Sequence, residues 1–95
     1  MTEFESGVYV YKEAISSSID FNNGTITTAK LVSTEISTDV YDVHYYLSAN
    51  GGANWEEVSN GVIHTFSNTG TDLRWKIGGS GPFQITYLKI SDYHS

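Results

Sequence analysis

Apolar and polar residues alternate with a period of two along most of this chain, which is the pattern of strands that bury one face. The clearest run is Val40–Ser48, in which Tyr41, Val43, Tyr45 and Leu47 share one face. No window repeats apolar residues at helical spacing. Further runs of the strand type are Val8–Ala14, Ile26–Val32, Trp55–Val58, Val62–Phe66, Asp72–Ile77 and Phe83–Ser91.

Turn-forming residues separate these runs at short intervals: Asn50–Gly52, Asn60–Gly61, Ser67–Gly70 and Gly78–Pro82. Asn-Gly is the strongest two-residue hairpin signal, because both residues tolerate positive φ. The spacing predicts about seven to eight short strands in a small antiparallel β-sandwich of jelly-roll or immunoglobulin-like type. Residues 1–95 form one domain, with residues 1–7 as an N-terminal arm and most of Ile15–Gly24 as loop.

The alternation also predicts which side chains form the core. They are the large apolar residues on the inward face of each run: Tyr41, Val43, Tyr45, Leu47, Trp55, Val58, Phe66, Leu73, Trp75, Leu88 and Ile90.

Charge and composition narrow the classes of partner. The net charge is −6 with five cations, so the chain lacks the positive field that nucleic acid or an anionic membrane surface requires. No stretch is long and apolar enough to span a membrane. There is no cysteine for disulfides or thiolate chemistry, and the acidic N-terminus does not look like a secretory signal. Synthesis in a cytosol is therefore expected.

The residues that could do chemistry do not form a recognisable constellation. His44 and His64 are expected on adjacent strands and His94 in a frayed tail, so the three are not expected to converge on a zinc ion. Glu56 and Glu57 point to opposite faces of a strand. We therefore predict no enzyme activity, no cofactor and no metal.

One turn has a recognisable motif. Ser48, Asn50, Gly52 and Trp55 resemble the Asp-box pattern Ser-x-Asp-x-Gly-x-Thr-Trp, with Asn50 replacing Asp and Asn54 replacing Thr. The asparagine can bond turn amides and the glycines permit the reversal. The resemblance implies a structural hairpin and carries no catalytic residues.

A wider passage resembles a small β-sandwich domain of tailed-phage virion proteins. The similarity extends over about residues 41–93 and rests on four stretches: Tyr45–Ser48, Trp55–Val58, His64–Phe66 and Asn68–Lys76. It implies a virion structural or host-surface-binding role, and it does not imply an enzyme.

Tyrosines supply the candidate contact residues, because they combine apolar area with a hydroxyl group at low entropic cost. Tyr9 and Tyr11 share one side of their run, and Tyr46 and Tyr87 are expected to face away from the core. They are candidates for a protein interface or for stacking on sugar rings, and the alternative is that they lie in the core of a thin sandwich.

Together these features lead us to expect a non-enzymatic virion protein, made in the host cytoplasm. The favoured role is head decoration, in which many copies, as monomers or trimers, bind the major capsid protein and cement the shell. A tail or baseplate accessory position and a carbohydrate-binding module that binds a host glycan are the alternatives.

Overall fold

The structure is a computed structural model that describes residues 2–36 and 43–94. The described residues form five extended elements and no helix. They are β1 (Thr2–Ile15), β2 (Asp20–Ile36), β3 (Val43–Ser48), β4 (Glu56–Val58) and β5 (Ile63–His94). The predicted all-β antiparallel fold is confirmed, but two of the strands are much longer than expected: β2 has 17 residues and β5 has 32.

The sheet is built on one long two-stranded ribbon. β1, a short link and the first part of β2 run beside β5 in the opposite direction. Backbone hydrogen bonds continue the pairing across the link: the Ser16 N–H donates to the Trp75 carbonyl oxygen, and the Ile19 N–H donates to that of Leu73. The register runs from end to end without reversal: Thr2 with Asp92, Ile15 with Lys76, Asp20 with Leu73, and Lys30 with Ile63.

The ribbon folds back on itself through β2. The later part of this strand pairs a second time with β5, from Ile26 opposite His94 to Ile36 opposite Gln84. Residues such as Ala29 therefore have β5 on both sides, with His64 on one edge and Asp92 on the other. A β3–β4 hairpin adds to the outer edge of residues 74–79 of β5. The continuous sheet is compatible with a small sandwich.

Strands β2, β3, β4 and β5 all bury side chains in one core. Eight predicted core residues are buried: Tyr45, Leu47, Val58, Phe66, Leu73, Trp75, Leu88 and Ile90. Val43 is partly buried against them, and Tyr41 lies outside the described residues. The prediction missed six further core residues: Ile26, Ala29, Leu31, Ala49, Ile77 and Ile85.

Two predicted turns are not turns. Ser67–Gly70 and Gly78–Pro82 both lie inside β5. The register beside them is irregular: β5 places extra residues between Thr65 and Gly70, and again between Gly78 and Pro82. Small and polar residues suit bulges as well as reversals, because both need unusual backbone conformations or amides that leave the ladder. The sequence signal was genuine, but its interpretation as chain reversals was wrong.

Asn60 and Gly61 form a turn but not the predicted hairpin. The Val62 N–H donates to the Ser59 oxygen at 3.1 Å, and Gly61 has φ of 80°. The strands on either side do not pair with each other, since β4 pairs with β3 while Ile63 of β5 pairs with β2. The turn therefore carries the chain from the β3–β4 hairpin to the start of β5, beside β2.

The Asn60 side chain fastens this turn to β2. Its Oδ1 accepts the Ser33 N–H at 3.0 Å, and its Nδ2 donates to the Ser33 carbonyl at 2.9 Å. The buried Ser33 hydroxyl donates to the Tyr45 hydroxyl oxygen at 2.7 Å. An amide side chain thus supplies both hydrogen bonds that a neighbouring strand would have made.

Two other expectations need correction. The predicted N-terminal arm is part of the sheet, since Thr2–Ser6 pair with residues 88–92. The predicted loop around Asn22–Gly24 lies within β2, where Asn22 and Gly24 have positive φ and the register shifts. This segment is a bulge in the strand, for the same reason as the segments in β5.

Candidate functional site

The turn between β3 and β4 is closed by its own side chains. The Ser48 hydroxyl accepts the Gly52 N–H and donates to Asn50 Oδ1, both at 2.9 Å. Asn50 Oδ1 also accepts the Asn54 N–H at 2.9 Å. Gly52 has φ of 89°, and a Cβ there would lie 3.3 Å from the Trp55 ring. These groups are engaged in holding the turn, which leaves them little capacity to bind a ligand.

Tyr46 and Trp55 flank a lysine. The Lys76 amino group lies 4.9 Å from the Tyr46 ring centroid and 4.8 Å from that of Trp55. Both distances are within the range of cation–π attraction. Tyr46 and Trp55 are each half-buried, so Trp55 covers the turn and does not enter the predicted core.

Tyr87 lies elsewhere, on the outward side of the pairing between β2 and β5. Neighbouring strand residues share a face, so the register defines this side: Thr28 with Thr65 and Tyr93, Lys30 with Ile63 and Ser91, Val32 with Lys89, and Thr34 with Tyr87. We call these ten residues the outer β2–β5 face. Its largest exposed side chains are Ile63 at 61%, Tyr93 at 43% and Tyr87 at 38%.

The four predicted tyrosines therefore do not form one described platform. Tyr46 pairs with Lys76 on the β3 side of β5, whereas Tyr87 pairs with Thr34 of β2. Tyr9 and Tyr11 belong to β1, and their side chains lie outside the described residues. Ile63 and Tyr93 were not among the predicted contact residues. They flank β2 on one face because β2 pairs with both ends of β5, and the sequence does not display that pairing.

Glu56 is a largely buried carboxylate that takes part in several hydrogen bonds. Its oxygens accept the backbone N–H groups of Ser67 and Asn68, each at 2.9 Å, and Oε1 lies 2.9 Å from His64 Nε2. Burial alone would raise the pKa of Glu56, but these bonds and one from the Asn68 side chain outweigh it and lower the pKa from 4.5 to about 2. The carboxylate thereby satisfies the amides that the bulge in β5 removes from the ladder.

Replacing Glu56 by glutamine is expected to lower the free energy of unfolding at pH 7 by about 2 kcal/mol, the range for bonds to a charged group. Because the folded pKa lies below the ordinary value, the stabilisation is complete above pH 4.5 and is lost as the pH falls toward 2. Urea unfolding across this pH range measures both effects. Glu57→Gln is the control, since the Glu57 side chain is 58% exposed and contacts only His44 among described partners. Equal losses in both variants would contradict the assignment.

A second titratable cluster joins the start of β2 to the end of β5. His94 Nε2 lies 2.7 Å from Asp20 Oδ2 and 3.5 Å from Asp92 Oδ2. The side chains are 17%, 6% and 0% exposed for His94, Asp20 and Asp92. The other ring nitrogen, Nδ1, lies 3.1 Å from the Gly24 carbonyl oxygen. His94 is thus held on both sides within the sheet, which corrects the expected frayed tail.

Neither cluster was readily predictable from the sequence. Asp92 and His94 are two apart on a strand and so share a face, which is the one local signal. Asp20 is 74 residues from His94 and lies in a segment predicted as loop. Glu56 meets Ser67 and Asn68 only because those residues bulge out of β5.

The described part of the chain contains no helix long and apolar enough to cross a membrane. Comparisons with known protein families, with curated proteins and with solved structures give no match.

Proposed function

We propose that this chain is a non-enzymatic structural protein of a tailed-phage virion, and that it decorates the head by binding the major capsid protein through its outer β2–β5 face. The observation that carries the proposal is the character of that face, where Ile63, Tyr93 and Tyr87 are exposed. The resemblance of Tyr45–Lys76 to virion sandwich domains supports the class of partner.

The chemistry of the face suits permanent attachment to protein. Tyrosine is enriched at interfaces because its ring contributes apolar contact and its hydroxyl a hydrogen bond, and such anchors supply most of the binding energy. Thr28, Thr34 and Thr65 stand between the larger residues with hydroxyl groups of their own. Copies bound across the boundary between two capsid subunits would oppose their separation by burying this surface on both.

The proposal predicts that loss of the aromatic and aliphatic anchors weakens attachment. Replacing both Tyr93 and Ile63 by alanine is expected to lower the affinity for undecorated shells at least about thirtyfold, the effect of losing one strong anchor. Sedimentation of shells with added protein measures it. Tyr46→Ala is the matched control, because Tyr46 lies beside Lys76 on another face. Unchanged binding by the double variant, or equal loss in the control, would refute this face as the contact.

Mass spectrometry of purified particles tests the location. A copy number near that of the major capsid protein supports head decoration, whereas a few copies place the protein in the tail or baseplate. Absence from particles overturns the proposal.

The carbohydrate-binding alternative has less support from the described side chains. Stacking on sugar needs accessible ring faces, yet the Lys76 amino group lies over both Tyr46 and Trp55. A glycan array decides the matter, since reproducible binding that Tyr87→Ala abolishes would favour a host-adhesion role.

A further inference from the structure

The cluster of Asp20, Asp92 and His94 brings three potential metal ligands together. One carboxylate oxygen from each aspartate and the Nε2 of His94 all lie within 4.8 Å of one another. Asp92 and His94 share one face of β5, and Asp20 approaches from the first residue of β2. The arrangement is set by strand register, which places these atoms more firmly than a loop would.

The orientation of His94 is the second observation. A carbonyl oxygen can only accept a hydrogen bond, so the contact with the Gly24 oxygen places a hydrogen on Nδ1. Nε2 is then the nitrogen that faces the two carboxylates. Histidines that ligate metals typically donate their other ring N–H to a backbone carbonyl or carboxylate, which fixes the ring and the tautomer.

Two other histidine–carboxylate pairs of the described chain lack this arrangement. His44 meets the single carboxylate of Glu57, and both side chains are more than half exposed. His64 meets Glu56, whose oxygens already accept the Ser67 and Asn68 N–H groups. Among the described residues, only His94 belongs to a group of three possible ligands.

We propose that Asp20, Asp92 and His94 form a binding site for a divalent transition-metal ion, with Zn²⁺ as the preferred ion. One imidazole and two carboxylates suit Zn²⁺ better than Mg²⁺ or Ca²⁺, which favour oxygen ligands alone. Zinc bonds of about 2.0–2.2 Å place two tetrahedral ligand atoms about 3.4 Å apart. The Nε2 to Asp92 Oδ2 distance of 3.5 Å already fits, and the Asp20 oxygen at 2.7 Å needs to retreat by less than about 1 Å.

The ion acts as a clip between distant parts of the chain. It joins the first residue of β2 to the end of β5 across the bulge at Asn22–Gly24. A chain of 95 residues without cysteine has no disulfide to close such a loop, and small domains commonly use metals for this purpose. Binding to the folded state alone raises stability in proportion to the logarithm of ion concentration over the dissociation constant.

Calorimetric titration of the chelator-treated full chain with ZnCl₂ tests the site. We expect one bound Zn²⁺ per chain and a melting temperature that rises with Zn²⁺ but not with equal Mg²⁺ or Ca²⁺. Asp92→Asn and His94→Gln are each expected to weaken Zn²⁺ binding at least about tenfold. His44→Gln is the matched control and is expected to bind Zn²⁺ like the unaltered chain.

Histidine side-chain NMR of the unaltered chain keeps the test decisive if the His94 variant fails to fold. Zinc binding at this site shifts the ring signals of His94 and leaves those of His44 and His64 in place. The proposal is overturned if the unaltered chain binds no Zn²⁺ at micromolar concentration, if the shifts fall on His44 or His64, or if His44→Gln abolishes binding.

Discussion

Gly70→Ala is expected to lower the free energy of unfolding by about 3 kcal/mol, the upper part of the range for overpacking. A Cβ at Gly70 would overlap the carbonyl oxygen of Ala49 and lie 2.8 Å from the Asn50 Cα. All the obstructing atoms are backbone, so no side chain can rotate away to make room. The two segments are also tied by hydrogen bonds on either side of Asp72, from Gly51 N–H to its oxygen and from its N–H to the Ala49 oxygen.

Gly61→Ala is the control for this effect. Gly61 has φ of 80°, so alanine there is strained by about 1 kcal/mol, but nothing lies within 4 Å of the added carbon. Urea unfolding followed by tryptophan fluorescence gives both values. If the two variants lose the same stability, the close approach of β5 to the β3–β4 turn is not the cause.

Leu88→Ala is expected to cost about 3 kcal/mol, within the usual range for deleting a buried leucine side chain. Leu88 is fully buried in the core, together with residues of β2, β3 and β4. The loss combines the transfer free energy of the removed carbons with the cavity they leave, because the surrounding strands are fixed by pairing on both edges. Differential scanning calorimetry or denaturant unfolding measures the change.

The adjacent residue supplies the comparison. Tyr87 points outward from the same strand and is 38% exposed, so Tyr87→Ala is expected to change stability by about 0.5 kcal/mol or less. A large loss of stability in this variant would mean that the outer β2–β5 face is packed against the protein itself. In that case its role in binding a shell would lose its basis.

Local alternation was sufficient to predict the strand class and much of the core. Tyr45, Leu47, Leu73 and Trp75 are buried as a period of two requires, since their inward direction depends on near neighbours only. Ile26, Ala29 and Leu31 were missed because their run is rich in threonine, and it becomes a central strand only through pairing with β5 on both edges.

The path of the chain was harder to predict, for a physical reason. Glycine, serine and asparagine mark places where the backbone leaves the regular ladder, and a bulge meets that description as well as a reversal. Whether a bulge or a reversal forms at Ser67–Gly70 depends on two distant partners. Glu56 accepts hydrogen bonds from the displaced N–H groups, and β2 continues to pair with β5 on either side of them. Similarly, Asp20 and His94 meet only because β2 pairs twice with β5, with Asp20 opposite Leu73 and Ile26 opposite His94.

The long pairing of β5 also determines when the fold can appear during synthesis. β1 and the first part of β2 are made first, yet their hydrogen-bond partners lie between Ile63 and Asp92 of β5. The ribosome must therefore release β5 before the earlier strands can form these pairings. Pairing between residues far apart in sequence slows folding to the scale of milliseconds to seconds. Until β5 is available, the unpaired edges of the nascent strands are prone to aggregation.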